Sequence, residues 1–413
     1  MKVLILNTGS SSVKYSIYEC ENGDAKELAK GLVERIGATN PNIKCDCCLD
    51  RTGKCPACAM VESGTLRVPS HKAAISAICD ILTSADCGVV SDLSEIAGIG
   101  HRVVHGGEEF SKSTLIDEAV IAGIEKCCKL APLHNPPALQ GIRACQEVFP
   151  GTPQVAVFDT AFHASIPSHA YRYPIPTALY SEHGVRKYGF HGTSHRYVSE
   201  QAVARLSMPA EDTRVITCHL GNGCSISAVK GGKCIETSMG LTPLGGVMMG
   251  TRTGDLDPYL PLFMMKELGM SVDEVDTLMN KKSGLLGVCG HNDMRDILKR
   301  AEGGDKDCQL AVSMFCYSIA RFIGSYAMVL GGVDAIVFTA GIGENNALLR
   351  SRILETAGYL GCHVDAERNA ANAEVITTDD STCKAFVIPT NEELVITRHT
   401  ARLVDEARET ATA

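Results

Sequence analysis

The 413-residue chain carries 39 Lys+Arg against 48 Asp+Glu, for a net charge of −9, and 45% of its residues are hydrophobic. That balance is ordinary for a globular protein, and the length implies two domains or three. Without a long basic block, neither nucleic acid nor an anionic membrane is expected as a partner.

The chain opens with an apolar run, Val3 to Leu6, that ends at Asn7 and gives way to Thr8, Gly9, Ser10, Ser11, Ser12 and Lys14. The run is shorter than the ~7–15 residues of a secretory h-region. No stretch approaches the ~18 apolar residues of a membrane span, so a cytoplasmic protein is expected. No G-x-x-x-x-G-K-[ST] motif occurs, which excludes a P-loop. Val13, Tyr15 and Ile17 alternate with Lys14, Ser16 and Tyr18, the period of a strand, so the Gly/Ser row is predicted to be a β-hairpin turn. Next comes "CDCCLDRTGKCPAC", in which Cys45 and Cys48 form one C-x2-C unit and Cys55 and Cys58 another. The gap is shorter than the ~15–20 residues usual for zinc, leaving a structural metal or a hairpin with free thiols. Most of the 19 cysteines, such as Cys79, Cys218 and Cys316, lie in apolar runs and are expected to be reduced.

Further along, "GHRVVHGGE" sets Arg102 just after a strand, and "LAPLHNPPAL" holds His134 in a loop fixed by three prolines. "QVAVFD" is a short buried strand ending at Asp159, a favoured place for a catalytic or metal-orienting acid, or for a carboxylate that caps the next segment. His191 and His195 in "YGFHGTSHR" have i, i+4 spacing, but no glutamate follows the first, and Gly192 argues against a helix, so a zinc hydrolase is rejected. "VITCHLGNGCSISAVKGGK" repeats the opening design. Aligning Leu6 with Leu220 places Gly9 on Gly223 and Ser11 on Ser225, which predicts an internal duplication. Unrelated hairpins also favour Gly and Ser in their turns. "TPLGGVMMGTRTGDLDP" carries Arg252 in a glycine-rich loop, residues 307–330 read as a long apolar helix, and "VDAIVFTAGIG" is a strand running into a glycine-rich turn.

Glycine-rich turns bring backbone N–H groups close to phosphate oxygens. Three of them ("NTGSSSVK", "HLGNG", "AGIGEN") point to a polyphosphate, most simply ATP; the last lacks the third glycine of a dinucleotide fingerprint. An arginine on a turn is ordinarily solvated. Two in glycine-rich loops after apolar segments form instead a carboxylate or phosphoryl clamp. Duplicated α/β domains are expected to meet at a cleft, where small molecules bind.

Together, "NTGSSSVK", "GHRVVHGG", "LHNPPAL", "FDTAFH", "YGFHGTSH", "HLGNG", "TSMGLTPLGGVMMGTRTGD", "FTAGIGEN" and "TNEELVI" resemble the acetokinase family, in order from residue 1 to about 400. The resemblance implies two duplicated β/α domains of the actin-like ATPase (ribonuclease H-like) superfold. Residues 1–160 with 394–413 would form the acid- and phosphate-binding domain, and 161–393 the nucleotide-binding domain. It implies Asn7 and Glu392 as holders of Mg²⁺, with Mn²⁺ as substitute, and Lys14, Ser10 and Ser12 as phosphate contacts. Arg102 and Arg252 would grip acetate and the moving phosphoryl group. His191 would stabilise the transition state, His134 would assist, and Asp159 would be the catalytic acid residue. His219, Leu220, Gly221, Asn222 and Gly223, with Asp293, Met294 and Arg295 and with Gly341, Ile342, Gly343, Glu344 and Asn345, would bind ATP or ADP. Val104, Leu133, Phe190 and Pro243 would hold the methyl group. A homodimer is implied too. Gly245 departs from the glutamate common in the family.

The implied reaction is acetate + ATP ⇌ acetyl phosphate + ADP by in-line transfer. Acetate, with a pKa of ~4–5, is already an ionised nucleophile at neutral pH and needs no base. The obstacle is the approach of an anion to a polyanion, which converging cations relieve. Asp159 is therefore expected to orient a cation or water. A methylene is worth only ~1–3 kcal/mol in a pocket, so propionate is the alternative acceptor. An actin- or chaperone-like nucleotide switch is the alternative of another class, and a pyrophosphate user a third.

Overall fold

The computed structural model describes residues 1–21, 23–46 and 56–412. The chain divides into two compact units, Met1–Ala161 with Asn391–Ala413, and Phe162–Thr390.

In the first unit the strands are β1 (Lys2–Thr8), β2 (Ser12–Glu21), β3 (Asp24–Glu34), β4 (Asn42–Cys45), β5 (Ile96–Val103), β6 (Thr114–Leu115) and β7 (Gln154–Phe158). They form one sheet in the order β4-β3-β2-β1-β5-β7-β6. β1 to β4 are an antiparallel meander, β5 and β7 continue it in parallel, and β6 is antiparallel to β7. Because side chains alternate across a strand, Leu4 and Leu6 join Tyr15, Ile17 and the helix residues Ile75 and Ile78 on one face. Val3 and Ile5 face the other way, against Ile396 and Val404 of the helix Glu392–Thr412. Both faces are covered, so the strands read as continuous apolar runs.

The second unit has β8 (Arg214–Leu220), β9 (Cys224–Lys230), β10 (Lys233–Thr237), β11 (Ala335–Thr339) and β12 (Lys384–Val387), ordered β10-β9-β8-β11-β12. Here a three-strand meander, one strand shorter than in the first unit, is followed by two parallel strands. The expected duplicated β/α design is what the chain adopts. The residue pairing read from the hairpins is corrected, however. β1 ends at Thr8 and β8 at Leu220, both after seven residues, so Leu220 matches Thr8 and not Leu6. The second turn is also one residue shorter, since Thr8 pairs with Val13 but Leu220 with Cys224. Gly and Ser suit any turn and so misled the alignment.

Four local expectations also change. Gly192 does not exclude a helix: Gly192–Val203 is helical, with glycine at its first position and His191 at the N-cap. His134 is likewise the N-cap of the helix Asn135–Val148, which tolerates Pro136 and Pro137 because its first N–H groups need no helical partner. "AGIGEN" is a short helix, Ala340–Asn345, rather than an open turn. The helix Lys306–Leu330 is, by length and composition, apolar enough to cross a membrane, against the expectation that no stretch comes near. Its buried residues include Ala311, Val312, Phe315 and Ile319, and the helix packs on β9 and on the helices Gly284–Cys289 and Met294–Glu302. The paired C-x2-C pattern falls outside the described residues apart from Cys45, which ends β4, and Cys58, in the helix Pro56–Glu62.

Candidate active site

In the first unit the charged groups gather where β1, β5 and β7 end and the helix Glu392–Thr412 begins. Arg102, expected just after a strand, is instead the penultimate residue of β5, because the apolar run continues to Val103; Asp159 follows β7, its backbone N–H donating to Val103 O at 3.0 Å. Parallel pairing of these strands sets the two side chains together. Arg102 Nε donates to Asp159 Oδ1 at 3.1 Å and Nη2 to Oδ2 at 2.6 Å, a bidentate fork on a carboxylate that is 1% exposed. Glu392 Oε2 lies 3.7 Å from Arg102 Nε. Burial works against the guanidinium charge, but Asp159 and Glu392 outweigh it and hold the arginine firmly protonated. The fork occupies Nε and Nη2, leaving the Nη1 edge for another anion.

Lys14, on β2, pairs with Glu393. Burial pushes the Glu393 carboxyl up, yet the hydrogen bond and charge of Lys14 carry it below its ordinary value. Ser10 is exposed in the turn, and Ser12 opens β2. The turn is closed by Gly9 N–H to Ser12 O at 2.8 Å, while Gly9 O lies 2.8 Å from His71 Nε2. Asn7 and Glu392 offer one amide oxygen and one carboxylate. Among the described residues no group of three or more His, Cys, Asp or Glu could hold a metal. A hard cation kept mainly by phosphates and water, as Mg²⁺ usually is, needs no more than such a pair. His134 is half-buried, Val104 is buried, and Leu133 is 67% exposed.

In the second unit His191 takes a left-handed conformation, φ 55°, uncommon for a residue with a Cβ and here fixed between Gly189–Phe190 and the helix it caps. Its ring stacks on His219, centroids 4.1 Å apart, and its Nδ1 lies 2.8 Å from Ser225 Oγ. A Cβ on Gly223 would lie 3.2 Å from His191 Cε1 and Nε2, a tight contact that would push the ring by a few tenths of an ångström, and 3.6 Å from Arg252 Nη1. The His191 ring and the Arg252 guanidinium thus both border the turn Gly221–Gly223.

Arg252 differs from Arg102. Its Nη1 donates to Pro243 O at 3.1 Å and contacts Met249 Sδ at 3.6 Å, and no carboxylate pairs with it among the described residues. Burial lowers its pKa from the ordinary value. A partly buried guanidinium with only a carbonyl and a thioether on its Nη1 keeps a net positive charge that no neighbouring carboxylate among the described residues offsets.

The nucleotide candidates lie on three segments of this unit. His219 ends β8 beside Leu220, with Nδ1 2.8 Å from Ser194 Oγ, and Gly221 N–H closes the turn on Gly223 O. Asp293 caps the helix Met294–Glu302 and also binds Arg295 through Nε and Nη2 at 3.0 and 2.6 Å, while Met294 is buried. In Gly341–Asn345 the carboxylate of Glu344 serves the loop itself, accepting from Ala340 N at 2.7 Å and Thr390 N at 3.2 Å. Of these segments only Arg295 lines a groove of about 980 Å³, whose walls also include Leu298, Tyr317, Leu348 and Arg352. Phe190 is buried and Pro243 half-buried.

Sequence reading missed the partners that hold these groups. Glu393, Ser194, Thr217 and Ser225 lie inside the quoted segments, but nothing in those segments marks them as partners of the charged groups and histidine rings. The one available signal was periodicity: Thr217 and His219 share a face of β8, and Ser225 is the cross-strand partner of His219.

A model of the Acetokinase family matches residues 2–398. Acetate kinase of Methanosarcina thermophila is 52% identical over 408 residues, covering 98% of this chain and 97% of its own length. The crystal structure of Porphyromonas gingivalis acetate kinase aligns with TM-score 0.89 at 41% identity over 98% of this chain and 99% of that one. A propionate kinase from Francisella tularensis subsp. tularensis SCHU S4 aligns with TM-score 0.85 at 43% identity over 97% and 99%. With nearly the whole length matched in sequence and in fold, the chain belongs to the acetokinase family.

Proposed function

We propose that the protein is an acetate kinase, transferring the γ-phosphoryl group of ATP to acetate in a reversible reaction. An acetate oxygen attacks phosphorus in line, the bond to the bridging β,γ oxygen breaks, and ADP leaves with that electron pair. The observation that carries this reading is Arg252, a partly buried cation without a carboxylate, sharing Gly223 with His191. Arg252 meets the moving phosphoryl group, His191 donates to the charge that develops on it, and His134 assists. Arg102, aimed by Asp159, grips the acetate carboxylate; Asp159, accepting from Arg102 on both oxygens, orients that cation rather than taking a proton from the substrate. Val104, Leu133, Phe190 and Pro243 select the short apolar tail.

The first unit thus supplies the acid and phosphate contacts, Lys14, Ser10 and Ser12 among them. The second supplies the nucleotide contacts at 219–223, 293–295 and 341–345, its groove taking the nucleoside. Asn7 and Glu392 would hold Mg²⁺, which neutralises phosphate charge when bound. Exposed apolar side chains on the second unit (Leu310, Met314, Met328 and Tyr359) favour a homodimer through that unit. The reading places the enzyme in the cytoplasm.

The test is acetyl hydroxamate formation from acetate and ATP–Mg²⁺, run beside propionate, butyrate and pyrophosphate. Acetate-dependent turnover above that with propionate is expected. A higher kcat/KM for propionate would move the reading to propionate kinase, the activity named for the Francisella neighbour. ATP hydrolysis indifferent to any acid would replace it with a nucleotide switch.

A further inference from the structure

Four side chains of the second unit form one hydrogen-bonded file. Thr217 Oγ1 on β8 lies 2.7 Å from His195 Nδ1, His195 Nε2 lies 2.7 Å from Ser225 Oγ on β9, and Ser225 Oγ lies 2.8 Å from His191 Nδ1. Thr217, His195 and Ser225 are fully buried, so water does not supply alternative partners. Burial and the neighbouring rings of His163 and His219 keep His195 neutral, with a single N–H to place.

Each hydroxyl has one proton to donate and two lone pairs to accept with, so the file has three arrangements in which every contact is a hydrogen bond. One of them has Ser225 accepting from both rings, which strands the Ser225 proton, and the other two run the bonds head to tail. In the first head-to-tail arrangement, the Thr217 hydroxyl donates to His195 Nδ1, His195 Nε2–H donates to Ser225, and the Ser225 hydroxyl donates to His191 Nδ1. His191 Nδ1 is then an acceptor, and a neutral ring carries its proton on Nε2. In the second, every bond reverses: His195 donates to Thr217, Ser225 donates to His195, and His191 donates from Nδ1. The Thr217 hydroxyl proton is then left without an acceptor, because Thr217 Oγ1 has no other hydrogen-bond partner among the described residues. A buried donor left unmade is costly, whereas the first arrangement satisfies every group in the file.

We infer that Thr217, His195 and Ser225 are positioning residues that lock the neutral His191 ring in its Nε2–H tautomer. Nε2 is on the ring edge that borders the Gly223 turn, so the tautomer makes His191 a hydrogen-bond donor on that edge without having to be charged. The consequence for catalysis rests on the role proposed above for His191; the tautomer does not.

The experiment is two-bond ¹H–¹⁵N correlation NMR of the unliganded full-length protein with ¹⁵N-histidine, at a pH where His191 is neutral, its signal assigned by loss in His191→Asn. Wild type is expected to show His191 protonated on Nε2. Thr217→Val, nearly isosteric but without the hydroxyl, is expected to yield a mixture of tautomers and a several-fold lower kcat at unchanged KM; Thr217→Ser restores both. A wild-type ring protonated on Nδ1 overturns the inference, as does Thr217→Val with tautomer and kcat unchanged. Should Thr217→Val fail to fold, the wild-type spectrum decides alone. An Nε2–H signal in a protein without acetate-dependent turnover would sink the functional reading and leave this inference standing.

Discussion

Replacing Asp159 by Asn tests whether that carboxylate acts through Arg102 or on the substrate itself. Asp159 accepts from Nε and Nη2 of Arg102 at 3.1 and 2.6 Å. Hydrogen bonds to charged groups are worth about 1.5–3 kcal/mol each. Asn keeps one oxygen and turns an amide N–H toward the other guanidinium donor, so one bond is lost and the survivor is weakened. Glu392, 3.7 Å from Nε, retains part of the field but cannot restore the fork. The loss of orientation is then about 2–3 kcal/mol, a fall in kcat/KM of roughly 30–150-fold. Arg102→Ala, removing the cation outright, is expected to cost on the order of 10³-fold. The hydroxamate assay on both single variants and the double variant completes a cycle. If Asp159 works through Arg102, the double variant is no worse than Arg102→Ala. Multiplicative losses would refute this, giving Asp159 its own contact with the reacting groups. Asp159→Asn within twofold of wild type would remove any essential role.

Arg252→Met is expected to lower kcat by on the order of 10³-fold, yet to hold or raise the melting temperature of the unliganded protein, since it removes a buried charge that has no carboxylate partner. A lower melting temperature with activity kept would contradict the anion-site reading. His101, His105 and His163 are pulled by burial from 6.5 to about 4. Lowered folded-state values for bases mean that the unfolded chain takes up protons first. Their stabilisation is complete above pH ~6.5 and is lost as pH falls toward 4, by about 2 kcal/mol per group at pH 5. Urea midpoints at pH 7 and pH 5 check the sign, and an unchanged midpoint would mean that these rings are not buried neutral. Gly245→Glu would bring a second carboxylate toward Asp255, whose Oδ1 lies 3.5 Å from where a Cβ would be and accepts from Gly246 N at 2.7 Å. A raised KM for ATP is expected, and an unchanged one would separate this loop from phosphate binding.

Local periodicity was enough for the strands, because an alternating run such as Val13-Lys14-Tyr15-Ser16-Ile17 leaves the backbone one good solution. It was enough for the long helix 306–330 as well. It failed where one residue type serves two purposes. Gly192 was read as a helix breaker, but at the first position of a helix it has no preceding turn to disrupt. The prolines after His134 begin a helix instead of fixing a loop. Of the candidate site, Arg252 is legible because an arginine in a glycine-rich loop is unusual, whereas Arg102 lies within β5 and borders its glycine pair only from the strand end. What holds either arginine is not legible in this way. Arg102 and Asp159 meet only because β5 and β7 are parallel neighbours, with a strand and two helices between them in sequence. The file from Thr217 to His191 draws on two strands, a helix and its cap, so no window of sequence contains it.

In the proposed reaction the two arginines would meet the same electrostatic demand in opposite ways. Arg102 is neutralised in advance by Asp159 and Glu392, so its field at a distance is small and its value lies in direction: the fork fixes the plane of the guanidinium and leaves Nη1 as the working edge. Arg252 is left uncompensated, so its direction is set only by a carbonyl and a thioether, but its charge is undiminished. A ground-state carboxylate needs orientation more than attraction, because it is already charged and must present one oxygen in line. A phosphoryl group in transfer needs attraction, since charge moves across its oxygens as the bonds change. An arginine held by a carboxylate suits the first task and an arginine without one suits the second. Exchanging their surroundings, by placing a carboxylate beside Arg252, should therefore harm the reaction more than trimming the contacts of Arg102.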